Sequence, residues 1–216
     1  MTSRPRGRPA PNSPDIVSDE AVLEAVLWAF GENGFDGTSI REVARRLGIS
    51  HNLIPQRFGS KTELWYAAVR HGFSHMNREL VLEGERLGDD QLLILRGLLV
   101  RAIELNALNP SILRIINYEA SQPGPRLDYI VETFVGPAHD FLENWISVLA
   151  EKGAIRKPQT GLIYFLINHG AGSMFVFPGL SERLERIRAN TEPNPKTIRE
   201  QAEQIVSIFL EGLLPR

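Results

Sequence analysis

Apolar residues recur at spacings of three and four along nearly the whole chain, a period that predicts helices and little else. Ala21, Val22, Ala25, Ala29 and Phe30, broadened by Leu23, Val26 and Leu27, predict a first helix over 16–33 that other helices must wrap. Two short apolar stripes follow, Ile40-Val43-Ala44-Leu47 and Leu53-Ile54-Phe58. A long helix over 62–82 then carries Leu64, Trp65, Ala68, Val69, Phe73, Met76, Leu80 and Val81. Further helices are expected over 89–109, 111–120, 126–152, 159–177 and 197–214, with a short charged one over 180–189. Gln122-Pro123-Gly124-Pro125, Pro178-Gly179 and Glu192-Pro193-Asn194-Pro195 supply the breaks. Pro137 falls inside the 126–152 helix and should kink it, freeing the carbonyl of Thr133. Strand patterns are absent and no repeat is visible, so the expected fold is all-α.

Start and stop signals sharpen the stretch from Ser39 to Lys61. Ser39 with Glu42, and again Ser60 with Glu63, have the spacing of a capping box, in which side chains satisfy free amides at a helix start. Gly48 can end the first short helix in the left-handed conformation, and Ser50 is placed to cap the second. Two short helices joined by a tight glycine turn make the unit that seats its second helix in the DNA major groove. Pro55 is awkward: counted from Ser50 it is the fifth helical position, where it removes a hydrogen bond to His51 and should distort or shorten the helix. The division expected from these features is a disordered basic arm over 1–14, a three-helix DNA-binding head over 15–62 and a larger helical domain over 63–216.

Charge supports a reading role for that corner. From residue 37 to 62 the chain carries Arg41, Arg45, Arg46, Arg57 and Lys61 against Glu42 alone, a local +4 in a protein of net charge −2. Any nucleic-acid contact is therefore a local patch on a near-neutral body. His51, Asn52, Gln56 and Arg57 are expected on the outer face of the second short helix, where Asn and Gln can pair with adenine and Arg with guanine. Ahead of the head, Arg4, Arg6 and Arg8 alternate with prolines in Pro5-Arg6-Gly7-Arg8-Pro9, which resembles an AT-hook that lies in the minor groove. The other reading of that segment is a solubilising tail.

Composition excludes several chemistries. The 216 residues, 43% hydrophobic, suffice for a substantial core and contain no cysteine, so disulfides and thiolate sites are out. No glycine-rich phosphate loop, HExxH, calcium loop or GxSxG occurs, and neither cofactor nor metal is expected. The basic first residues lead into no apolar run, and the apolar stretches fall far short of a membrane span, so a cytoplasmic protein with no membrane contact is expected. Phe141 and Trp145, four apart beyond Pro137, either line a pocket or belong to a plain core. The 159–177 and 197–214 helices look too apolar for a monomer's outer surface: pairing with their copies would give an isologous four-helix interface, and burial within one subunit is the other reading.

The order of these features resembles the TetR family of transcriptional regulators. The resemblance rests on Ala29, Gly34 and Phe35, on Thr38-Ser39-Ile40-Arg41-Glu42-Val43-Ala44 with Leu47-Gly48-Ile49-Ser50, and on Phe58 with Ser60-Lys61-Thr62-Glu63-Leu64. It covers residues 16–70 and implies that His51, Asn52, Leu53 and Gln56 lie on a recognition helix and that Lys61 holds backbone phosphate. Two residues depart from the pattern: Pro55 stands where the family usually has a phosphate-touching tyrosine, and Asn52 where it has a small residue. The resemblance further implies a homodimer, a double-stranded DNA operator of pseudo-palindromic sequence, and a small-molecule effector bound among the middle helices. The expected DNA-binding set is Arg4, Arg6, Arg8, Ser39, Arg45, Arg46, Ser50, His51, Asn52, Leu53, Gln56, Arg57 and Lys61. The expected effector pocket takes in Leu99, Ile103, Tyr118, Phe134, Phe141, Trp145, Phe165 and His169, walls that suit an aromatic or lipophilic molecule. A ligand-responsive repressor with no enzymatic activity is the leading expectation. The rival is a helical small-molecule-binding or scaffold protein whose basic corner is incidental.

Overall fold

A computed structural model describes residues 17–177, 179–180, 183 and 195–215. The Arg4, Arg6 and Arg8 arm and nearly all of the expected 180–189 helix lie outside the described residues. Within them all regular structure is helical, and no helix is long and apolar enough to cross a membrane.

The first four helices are α1 (Asp19–Gly37), α2 (Ile40–Arg46), α3 (Leu53–Phe58) and α4 (Lys61–Arg86). Ser18 caps α1 by accepting the Ala21 amide at 3.1 Å, with Asp19 and Glu20 favourably placed in its first turn. Regular helix runs to Asn33, as the pattern predicts; Gly34, at φ 67° and ψ 178°, then breaks it, and one further turn leads to Thr38. The buried Thr38 hydroxyl lies 3.0 Å from the carbonyl of Ala29 and 2.7 Å from that of Gly34, clamping the break.

Capping departs from expectation twice. Only half of the first capping box forms: Ser39 accepts the Glu42 amide at 3.3 Å, but the Glu42 carboxylate turns to Arg45 and Arg46 instead. The second is complete, with Ser60 and Glu63 satisfying each other's amides at 2.7 and 3.2 Å. Ser50 does not cap α3 by its side chain; its carbonyl accepts the Leu53 amide in a turn, and α3 starts at Leu53 with Asn52 in the cap position. The cause is Pro55. With the start moved to Leu53, Pro55 is the third helical position, where an N–H has no intrahelical partner to lose. The first α-helical bond runs from Gln56 to the carbonyl of Asn52 at 3.1 Å. The helix is therefore short rather than bent.

Among the described residues the body includes α5 (Gln91–Leu108), α6 (Ser111–Ser121), α7 (Pro125–Ile130), α8 (Gly136–Glu151), α9 (Thr160–Phe165), α10 (Ser173–Val176) and α11 (Pro195–Glu211). A π-helical segment, Val131–Val135, joins α7 to α8, and a second, Leu166–Ala171, follows α9. The first replaces the plain kink expected at Pro137. Proline has no N–H for the Thr133 carbonyl; the backbone widens, the Gly136 amide bonds back to the Val131 carbonyl, and Pro137 falls in the first turn of α8.

Two apolar clusters hold the chain together. The head core of Val22, Val26, Leu27, Phe30, Val43, Ala44 and Ile54 extends through Leu64, Trp65, Ala68, Val69 and Phe73 of α4 to Ile112, Ile115 and Ile130. The second packs Leu95, Leu99, Val100 and Ile103 of α5 against Ile146, Leu149, Ile163 and Ile167, and against Ala202, Val206 and Leu210 of α11. Buried charges are paired: Glu119 accepts from Arg126 at 2.9 Å, and Glu104 meets Arg101 at 3.3 Å and Arg199 at 3.5 Å.

Candidate DNA-reading helix and ligand cavity

Ile54, 1% exposed, pins α3 to the head core. That anchor turns His51, Asn52, Pro55 and Gln56 outward, while Leu53 and Phe58 are half-buried. Arg57 departs from the expected outer face: it donates to the Val17 carbonyl at 2.8 Å and to Asp19 at 3.2 Å. The last turn of α3 rests on the start of α1, so this guanidinium ties the head together instead of facing outward.

The cations of α2 are exposed but not free. Arg45 and Arg46 share Glu42, and their hydrogen bonds, that of Arg45 first, hold its carboxyl down at about 2. Arg46 also lies 5.5 Å from the centre of the Trp28 ring. Lys61 Nζ sits 3.3 Å from the Asp36 carbonyl and 4.9 Å from the Phe35 ring centre, and the Arg126 guanidinium lies 4.1 Å from the same ring centre. Ser39 spends its side chain on capping, and Ser50 is exposed in the turn. The positive surface is thus smaller than residue counting implies.

A cavity of about 680 Å³ lies among α4, α5, α6, α8 and the two π-helical segments. Its size falls in the range of small-molecule sites. The expected Leu99, Phe134, Phe141 and Trp145 line it. Ile103, Tyr118, Phe165 and His169 do not, for three different reasons. Ile103 is fully buried in the second apolar cluster, against α11. Tyr118 packs its ring on Gly34, joining α6 to the head. Phe165 and His169 face away from the cavity, stacked tilted at 5.2 Å between ring centres, because Ile163 and Ile167 take the inward face of that helix. Partial burial pushes the His169 imidazole below its ordinary value.

Sequence reading missed the cavity's polar end. Asn106, 4% exposed, donates to Asn168 Oδ1 at 3.2 Å, and Asn168 donates to the Tyr164 carbonyl at 3.0 Å. All three residues line the cavity, and burial pushes the Tyr164 phenol up, so it stays neutral. The available signal was a polar residue continuing the apolar stripe Leu95-Leu99-Ala102 at helical spacing. Phe134, at the other side of the same end, stacks on Phe73 at 4.2 Å and touches Tyr129, which in turn packs on Trp65 and Tyr66. The cavity wall and the head core are thus one aromatic chain.

A helix-turn-helix head with an outward second helix is thus carried by an all-helical body that holds an apolar cavity. Residues 22–68 match the family described as bacterial regulatory proteins, tetR family. Over that stretch the chain is similar to the DNA-binding head of those regulators, and the rest of it lies outside the match. It is 35% identical over 82 residues to the HTH-type transcriptional repressor Rv3405c of Mycobacterium tuberculosis, covering 37% of this chain and 43% of that one. It is 30% identical over 73 residues to the HTH-type transcriptional regulator BetI of Serratia proteamaculans, covering 34% and 37%. The chain thus spans less than half the length of the curated relatives it matches. The ketosteroid transcriptional regulator KstR2 of Mycobacterium tuberculosis superposes over 94% of this chain and 98% of its own, with a TM-score of 0.68 at 21% identity. The regulator PfmR of Thermus thermophilus does so over 90% and 96%, with a TM-score of 0.58 at 21% identity. At these identities the likeness is one of fold.

Proposed function

We propose that the protein is a cytoplasmic, dimeric, ligand-responsive transcriptional repressor that grips a pseudo-palindromic operator through α3 and lets go when a lipophilic molecule fills the cavity. The observation that carries the reading is the α3 face: His51, Asn52 and Gln56 are exposed while Ile54 fixes the helix beneath them. These side chains read base edges. Arg45, Arg46 and Lys61 hold phosphate, and Arg4, Arg6 and Arg8 add minor-groove contacts from the arm. The division into an arm, a DNA-binding head and an effector-binding, dimerising body belongs to the same proposal.

Exposed apolar side chains support the dimer. Leu162, Phe165 and Leu166 on α9 and the turn after it, and Ile208 on α11, face outward at 45–67% exposure. Patches of this kind mark association surfaces, and two helices from each copy would bury them. The route from ligand to DNA runs through Phe134: a molecule displacing it from Phe73 moves Tyr129 against Trp65 and shifts the head. Effector and operator then weaken each other's binding reciprocally. The name of Rv3405c as a repressor supports the sign, and the ketosteroid in the name of KstR2 supports a lipophilic effector.

Selection from a random DNA pool, followed by anisotropy titration of the recovered duplex, tests the reading. The expected result is one symmetric site, an affinity falling steeply with salt, and a loss of about 1–3 kcal/mol in site preference for Gln56→Ala. Enrichment of no sequence, with Gln56→Ala binding like the parent protein, would favour the scaffold reading.

A further inference from the structure

We propose that the cavity selects a neutral, elongated lipophilic molecule ending in a hydroxyl or amide, which the Asn106 and Asn168 carboxamides hold at the end nearest the DNA-binding head. The inference rests on the reading of the cavity as the effector site and adds the ligand's chemistry and orientation.

The first observation is charge. No lysine, arginine or histidine is present among the described lining residues, and the one carboxylate, Glu85, is exposed. A ligand carboxylate or phosphate would enter an apolar space with no counter-ion, which is strongly unfavourable. The second is an unused hydrogen-bonding set. Asn106 is 96% buried by its 4% exposure, yet among the described residues its Oδ1 has no partner. No buried side-chain N or O among the described residues is both sealed and unpartnered, so this oxygen opens to the cavity. One N–H on Asn106 is left after its bond to Asn168, and one on Asn168 after its bond to the Tyr164 carbonyl. Two donors and an acceptor match a group that both accepts and donates, such as a hydroxyl or an amide, better than an ester or a carboxylate.

Shape fixes the orientation. Lining residues on α4 run from Phe73 to Glu85, which at 1.5 Å per residue makes the cavity roughly 18 Å long. Gly84 lies against Leu98 and Arg101 pairs with Glu79, so α4 and α5 are antiparallel and Asn106 comes level with Phe73. The polar group therefore sits beside the Phe73–Phe134 stack, and the apolar tail extends towards Val81 and Phe141, both exposed at the rim.

Calorimetric titration of the full chain with 1-decanol, decanamide, decanoate and decylamine tests this. Decanol and decanamide should bind about tenfold or more tightly than decanoate and decylamine. Asn106→Leu should bring the four affinities together while leaving the apolar contribution. Should that variant fail to fold, Asn106→Asp keeps the size and should invert the order towards decylamine. Decanoate or decylamine binding as tightly as decanol, or a preference unchanged in folded Asn106→Leu, overturns the inference. If decanoate binds best and releases the operator, the neutral-ligand inference falls and the effector reading stands. If none of the four binds, both fall.

Discussion

Gly34 and Gly48 share a φ of 67° but sit in opposite surroundings, and the contrast separates backbone strain from packing. A Cβ at Gly48 meets nothing within 4 Å, whereas at Gly34 it would enter the Tyr118 ring, 2.8 Å from the hydroxyl oxygen with ring carbons closer still. Gly48→Ala should therefore cost only the left-handed conformation, about 1 kcal/mol. Gly34→Ala carries a conformational cost of about 1–3 kcal/mol, since a φ of 67° with ψ near 180° is almost exclusive to glycine. Overpacking against Tyr118 adds about 1–3 kcal/mol. The sum, about 2–6 kcal/mol and centred near 4, lowers the melting temperature by roughly 12 °C in a chain of this length, against about 3 °C for Gly48→Ala. Thermal unfolding by circular dichroism at one fixed protein concentration reads both. In a Tyr118→Ala background the cost of Gly34→Ala should shrink to its conformational part, a coupling of about 2 kcal/mol. Equal costs at the two glycines, or no coupling to Tyr118, would refute the claim that the head is seated on α6 through this contact.

Three further outcomes follow from the geometry. Arg126→Met strands the buried Glu119 carboxylate and should cost about 3 kcal/mol by urea unfolding, most of it recovered when Glu119→Gln is added. Pro55→Ala should change stability by less than about 1 kcal/mol, because the third helical position has no hydrogen bond to regain; a large gain would show that the proline strains α3. His169 titrates lower when folded than unfolded because burial disfavours its charged form. The unfolded chain then binds the extra proton first, so the contribution is complete above about pH 6.5 and declines as pH falls through that value. His169→Gln should flatten this part of the pH profile of the denaturant midpoint, and an unchanged slope would dismiss the assignment.

Periodicity and caps made the head legible. The stripe Ile40-Val43-Ala44 and the turn at Gly48 can serve only one local geometry, and both formed. Pro55 shortens α3, one of the outcomes expected of it, but the start lies later than the nearest capping residue, Ser50, suggests, because the proline decides how late the helix can begin. Arg57 and Tyr118 could not be assigned from spacing, since their partners, Val17, Asp19 and Gly34, lie 40, 38 and 84 residues away. On α9 and the turn after it, Leu162, Phe165 and Leu166 are as apolar as Ile163 and Ile167, so composition gave no indication of which face turns inward. Asn106 is the reverse case: a polar interruption of an apolar stripe, inside the helix expected over 89–109 and visible in the sequence.

As a dimeric regulator the protein should read duplex DNA through α3 twice per assembly. A hydroxyl-radical footprint of the full chain on its selected duplex tests this most directly. Two protected patches should appear, related by a dyad and centred one helical turn, roughly 34–36 Å, or a whole multiple of it apart, and both should vanish together in Gln56→Ala. A single patch, or protection that ignores sequence and survives that substitution, would contradict it.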